Sequence, residues 1–189
     1  EGSVILYRSL GDGRRQILDV CGPGTMLGLP LEEAYTATAQ AVTRVYAQVH
    51  DRHEIETSHE LQLRLLAELC TEVAAMQELV LLLGRKTASE RVATFLLRLG
   101  GMGRSSDVAG VQGPIDVPYN LSQSEVADHL GLTVETVCRE MSRLKHDRII
   151  AMSPGHLQLL DVPALAWRSV NVAPRRCQKP VPTDAATVG

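Results

Sequence analysis

Aromatic side chains are scarce in this chain, which has a single tryptophan and a single phenylalanine among 189 residues. Binding by stacking successive bases of a single strand on an aromatic platform is thereby excluded. No run approaches the roughly 18 apolar residues that a membrane crossing needs, so no membrane partner is expected and the expected location is the cytoplasm. Excess positive charge is also missing. The net charge of −3 gives no overall basic footprint, so any contact with nucleic acid has to be local. The four cysteines, Cys21, Cys70, Cys138 and Cys177, lie far apart, with no CxxC pair and no histidine at ligand spacing. No metal site and no cofactor are expected, and in a reducing compartment four free thiols are expected rather than disulfides. Finally, no nucleophile–base pairing and no phosphate-cradling loop can be found, which argues against an enzyme.

With 44% apolar residues the chain can build a core of one large or two small domains. Its most informative stretch is Leu121–Ile150, LSQSEVADHLGLTVETVCREMSRLKHDRII. Ser122 followed by Glu125 is a capping-box pair, predicting a helix to Leu130 with Val126, Ala127 and Leu130 facing inward. Gly131 takes a turn, and Thr133 can cap a second helix. There Val134, Val137, Met141 and Leu144 recur at three- and four-residue steps as a core-facing stripe. The other side carries Glu135, Cys138, Arg139, Ser142 and His146. At about 100° per residue the two sets are well separated, so one face can dock on the protein while the other enters a major groove. Arg139, Arg143, Lys145, His146 and Arg148 against Glu140 and Asp147 supply local charge for phosphates. The competing reading is an amphipathic helical hairpin inside a core.

The next segment favours DNA. Ile149–Met152 and Leu157–Leu160 are short apolar strands around Ser153-Pro154-Gly155-His156, a strong turn signal. A hairpin after a recognition helix is a wing, and Asp116, Val117 and Pro118 can add a third strand. Upstream, Thr87–Leu99 is predicted as a helix with Ala88, Val92, Phe95, Leu96 and Leu99 inward, followed by a glycine- and serine-rich loop over 100–113.

The first fifty residues alternate short apolar runs with glycine and proline, a β-rich pattern. Strands are predicted at Val4–Tyr7 and Gln16–Val20, with Asp12-Gly13 as hairpin turn, and over Gln40–Val49. Such a sheet is short of strands if it starts at Glu1, so the natural protein is expected to be longer at its N-terminus. From His53 to Arg85 there is neither glycine, except Gly84, nor proline, which predicts one helix of some eight turns. Leu66, Leu69, Val73, Met76, Val80 and Leu83 keep a three–four spacing along it and are the candidate dimer interface, a coiled-coil-like seam with a second copy. The alternative is a helix packed wholly on its own β-domain, and Cys70 is expected to be core filler. The expected boundaries are a β-domain over 1–52, a dimerisation helix over 53–86, a winged helix-turn-helix over 87–167 and a tail over 168–189.

In this order the elements resemble those of the CRP/FNR superfamily of bacterial transcription regulators. The resemblance rests on Leu132–Arg139, similar to the FNR and FixK recognition helix, and on Leu81–Ala93, similar to the stretch that joins dimer helix to DNA-binding domain. Gly11–Ile17 is similar to a hairpin of the same regulators' β-roll. The resemblance implies an α+β chain with a partial N-terminal β-roll, a long dimerisation helix and a C-terminal winged helix-turn-helix. It further implies a homodimer on palindromic double-stranded DNA, with RNA polymerase as a partner. Gly28-Leu29 stands where cyclic-nucleotide binders have Gly-Glu, and Thr36–Ala41 has no Arg-Ser cassette. A cluster-free FixK-type activator of low-oxygen, respiratory or nitrogen-fixation genes, working without cyclic nucleotide, is therefore implied. An effector-gated regulator whose β-roll binds an unidentified small ligand is the alternative.

Candidate base contacts are Val134 on a thymine methyl, Glu135 on cytosine N4 or as an orienter of Arg139, and Arg139 on guanine O6 and N7. Ser122, Ser124, Thr133 and Thr136, at helix N-termini, are candidate phosphate contacts. Cys138, beside Arg139, is a redox candidate whose oxidation would inhibit binding; the competing reading is a small residue that fits the groove. The tail, ending Ala185-Ala186-Thr187-Val188-Gly189, is read as a solvated terminus or as a handle for a protease.

Overall fold

Asp12 and Gly13 close the first hairpin. Gly13 sits at φ 86°, the left-handed conformation that favours glycine, and Asp12 Oδ1 accepts from the Arg14 N–H at 3.0 Å. The computed structural model describes residues 2–28, 35–102 and 113–170. The hairpin joins strands β1 (Val4–Ser9) and β2 (Arg15–Cys21), and β3 (Thr38–Ala41) pairs with the other edge of β1, giving the order β2-β1-β3. Ile5 and Ile17 of this sheet are fully buried.

The third strand is shorter than its sequence pattern predicts. Alternation continues to Val49, but Val4 pairs with Ala41 and nothing of β1 lies beyond. The Val42 and Thr43 N–H groups both turn back to the Ser3 carbonyl, at 2.9 and 3.5 Å, so residues 42–49 leave the sheet. Alternation marks a segment able to be half-buried; a partner edge must exist for it to pair.

The long helix is also divided. Helix α1 (Arg52–Thr57) starts at an Asp51–Glu54 capping box, and Ser58 then adopts an extended backbone (φ −96°, ψ 108°) and caps α2 (His59–Arg85) by accepting from the Leu61 N–H. A serine that can satisfy a helix start locally competes with helix continuation, which is why one predicted helix is two. At 1.5 Å per residue the 27 residues of α2 span about 40 Å. Of them only Leu82 is buried, so the described part of the chain leaves α2 largely uncovered.

Helix α3 (Ala88–Leu99) begins at a capping box of Thr87 and Glu90. It packs with strand β4 (Ile115–Pro118), helices α4 (Gln123–Leu130) and α5 (Val134–His146), strands β5 (Ile150–Ser153) and β6 (His156–Leu159), and helix α6 (Val162–Ser169). The sheet order is β4-β6-β5, antiparallel, so Asp116–Pro118 adds the expected third strand to the wing hairpin. Val92, Leu96, Leu130, Val137, Leu157, Leu159 and Leu165 are fully buried in the shared core. Helix α6 runs to Ser169, with Arg168 paired to Asp147, so residues 168 and 169 belong to this domain rather than to the tail. The tail beyond Val170, with Cys177, as well as Leu29 and most of the 100–113 loop, lies outside the described residues.

Strand β2 docks on helices α3 and α4 of this domain. Arg15 pairs with Asp128 at 2.6 Å and Asp19 with Arg98 at 3.2 Å. Gln16 Nε2 donates to the His129 carbonyl at 3.1 Å, and His129 Nδ1 donates to the Ile17 carbonyl at 3.1 Å. Burial pushes the His129 pKa below its ordinary value, while the Ile17 carbonyl and Asp19 favour the charged form and Arg98 opposes it.

Candidate nucleic-acid interface

The geometry of α4, the turn and α5 is set by local chemistry. Ser122 Oγ accepts from the Glu125 N–H at 3.2 Å, while the Ser122 N–H and hydroxyl both donate to Glu125 Oε2, at 2.7 and 2.8 Å. Val126, Ala127 and Leu130 are buried as expected. Gly131 ends the helix at φ 60°, ψ 43°, and the Leu132 N–H returns to the Ala127 carbonyl at 3.1 Å. A Cβ at Gly131 would lie 3.2 Å from Leu83 Cδ2, so both backbone conformation and space call for glycine here. Thr133 then caps α5, its Oγ1 accepting from the Thr136 N–H at 3.3 Å.

Helix α5 separates its faces. Val137, Met141 and Leu144 are buried, whereas Glu135, Cys138, Arg139, Ser142 and His146 are all exposed. Val134 departs from the expected stripe: it is 40% exposed at the first helical position, where the helix end projects past the core, and so sits with the outward set. The Arg139 side chain is 69% exposed, and its acidic neighbour among the described residues is Glu140, at 3.8 Å, rather than Glu135. Glu135 is instead engaged by its own backbone N–H and by Thr133, which hold its carboxyl below the usual range. Glu140, an acidic residue at an inward position, is buried and also reaches Arg143 at 3.9 Å, so one carboxylate serves two outward arginines.

Of the candidate phosphate contacts, Ser124 and Thr133 are exposed and Thr136 is half-buried. Ser122 is exposed but commits both donors to Glu125. The wing turn is tied to the same surface, since the Tyr119 N–H donates to the Gly155 carbonyl at 2.9 Å. Cys138 is exposed beside Arg139. Cys21 is buried, its thiol pushed up to about 12 chiefly by burial, with Asp19, Glu68 and Glu72 adding to it. Cys70, expected in a core, is exposed in this chain because α2 buries so little of itself. No cluster of metal-ligating side chains occurs among the described residues, and no helix there is long and apolar enough to cross a membrane.

Along α2, Leu66, Val73, Met76 and Val80 are each at least half exposed, and Leu69 and Leu83 are partly covered. All six keep the spacing of a helical seam. Sequence reasoning did not anticipate Arg91, whose guanidinium and Nε donate to four backbone carbonyls, nor the contacts of β2 with Asp128 and His129. No spacing rule links these residues, which stand 5 to 113 positions apart.

Residues 90–167 match the model of the Crp-like helix-turn-helix domain. The chain is 36% identical over 166 residues to the nitrogen fixation regulation protein FixK of Bradyrhizobium diazoefficiens, covering 85% of this chain and 68% of that protein. It is 34% identical over 165 residues to the transcriptional activatory protein AadR of Rhodopseudomonas palustris, covering 85% and 67%. Among solved structures it is similar to FixK2 from Bradyrhizobium japonicum, with 30% identity and a TM-score of 0.73 over 91% of this chain and 85% of that one.

Proposed function

The chain belongs to the CRP/FNR superfamily of DNA-binding transcription regulators, on its FixK-type branch, and from that we propose a homodimeric activator of low-oxygen or nitrogen-fixation genes that binds a palindromic operator without cyclic nucleotide. The observation that carries the reading is the outward face of α5, where Val134, Glu135, Cys138 and Arg139 are exposed while Val137, Met141 and Leu144 anchor the helix. Arg139 reads guanine O6 and N7, Glu135 accepts from cytosine N4, and Val134 touches a thymine methyl. Ser124, Thr133 and Thr136 hold phosphates; Ser122 does so only through exchange of its bonds to Glu125. The stripe Leu66, Leu69, Val73, Met76, Val80 and Leu83 pairs with the same stripe of a second copy. The two recognition helices then enter successive major grooves about 34 Å apart, and the bound dimer recruits RNA polymerase.

Selection of bound duplexes from a random pool, using the purified chain and no additive, tests this directly. Two inverted half-sites one helical turn apart are expected; enrichment of a lone half-site, or of nothing, overturns the dimer or the DNA reading respectively.

Oxidation of Cys138 switches binding off in this proposal. Its sulfur attacks peroxide, the O–O bond breaks, and the products are a sulfenic acid and water; further peroxide yields sulfinic and sulfonic forms. These add bulk and negative charge where DNA phosphates approach. Peroxide is expected to abolish operator binding by the unsubstituted chain and to spare Cys138→Ser, as followed by fluorescence anisotropy. Equal sensitivity of the two proteins would show that Cys138 is not the switch.

A further inference from the structure

Helix α2 and helix α3 are joined by only Lys86 and Thr87, both extended (φ −86°, ψ 142° and φ −68°, ψ 165°). Two non-helical residues form a joint about which the DNA-binding domain can swing, unless side chains hold it. Arg91, one turn into α3, bridges that joint. Its Nη2 donates to the Leu83 carbonyl at 2.9 Å and its Nε to the Lys86 carbonyl at 3.0 Å, both at the C-terminal end of α2. Its Nη1 donates to the Leu130 carbonyl at 2.8 Å and the Gly131 carbonyl at 3.4 Å, at the C-terminal end of α4. One cation thus lies between the negative ends of two helices, where helix dipoles favour it, and the planar fork fixes their relative direction. The Leu83 side chain closes the same side, its Cδ2 standing 3.2 Å from where a Cβ on Gly131 would lie.

We propose that Arg91 is a positioning residue that, alongside the docking of β2 on Arg98, Asp128 and His129, sets the angle between the dimer helix and the helix-turn-helix, and thereby the half-site spacing that the dimer accepts. The proposal rests on the homodimer reading above. Helix α5 starts directly after the turn that Arg91 grips, so a swing at Lys86–Thr87 moves the two recognition helices of a dimer apart or together. A displacement of about 3.4 Å already equals one base-pair step. Arg91 touches none of the candidate base contacts, so its loss should leave recognition within a half-site intact.

The test measures binding of the full chain to palindromic duplexes that differ only in a spacer lengthened or shortened by one base pair. Thermal unfolding of the same proteins is followed by circular dichroism. The unsubstituted chain is expected to prefer one spacing. In Arg91→Gln, and in Arg91→Lys, whose compact ammonium cannot fork to both helix ends, that preference is expected to shrink by about 2- to 30-fold, the range for residues that transmit coupling between sites. Discrimination between correct and mutated bases within a half-site should be retained. Variants that melt earlier yet keep the spacing preference would show a purely stabilising role and overturn the proposal, as would failure of both variants to fold. A parent chain with no spacing preference would instead defeat the dimer reading on which it rests.

Discussion

Arg139→Ala is expected to reduce binding to the selected operator to the level seen on a scrambled duplex, while weak, salt-sensitive binding to both remains. A bidentate arginine–guanine pair is worth about 1 to 3 kcal/mol of discrimination. With one pair in each half-site, and additive contributions from well-separated sites, the loss is about 2 to 6 kcal/mol. The structure makes this a clean substitution. The side chain is largely exposed, its acidic neighbour Glu140 stands 3.8 Å away, and the helix is anchored by Val137, Met141 and Leu144 on the opposite face. Folding should therefore change little. Arg143 and Lys145 remain to meet phosphates, so anisotropy titrations at two salt concentrations should show the steep salt dependence of non-specific binding. Undiminished discrimination would assign base reading to another side chain.

The second large effect is expected at the seam. Val73 is 54% exposed midway along α2, seven residues from both Leu66 and Val80. Seven residues are two helical turns, so the three lie in one line on the helix surface. In Val73→Glu a carboxylate enters the centre of that line in both copies. Each is desolvated without a partner and repels the other. Sedimentation velocity is expected to show a monomer with an unchanged far-ultraviolet spectrum, since the side chain contributes little to its own chain's core. Operator affinity should fall by about 10²- to 10⁴-fold, the gain that linking two binding modules brings. A variant that still sediments as a dimer would place the contact elsewhere.

Local chemistry explains why so much of the candidate interface is legible in the sequence. The Ser122–Glu125 capping box, the left-handed Gly131, the Thr133 cap and the spacing of Val137, Met141 and Leu144 each involve residues within one or two turns of each other. The same holds for the wing, whose turn at Gly155 lies between strands that pair as nearest neighbours. Expectation and structure part where the outcome depends on what stands opposite. Residues 42–49 alternate like a strand but find no edge beyond Val4. Cys70 and Val134 sit in apolar patterns yet face outward. Ser58 is one polar residue in a long helical pattern, and only the folded backbone reveals its hydroxyl capping Leu61.

By itself, then, the order of amino acids determined the helix-turn-helix with its wing, the apolar stripe of the long helix and the polar outward face of α5, because caps, turns and periodic faces are decided over a few residues. Only the tertiary structure decided how those parts are held relative to one another. The grip of Arg91 on the ends of two helices, and the docking of β2 on His129 and Asp128, bring together groups distant along the chain. Such contacts depend on where the folded backbone presents its carbonyls and charges, and no local pattern encodes that.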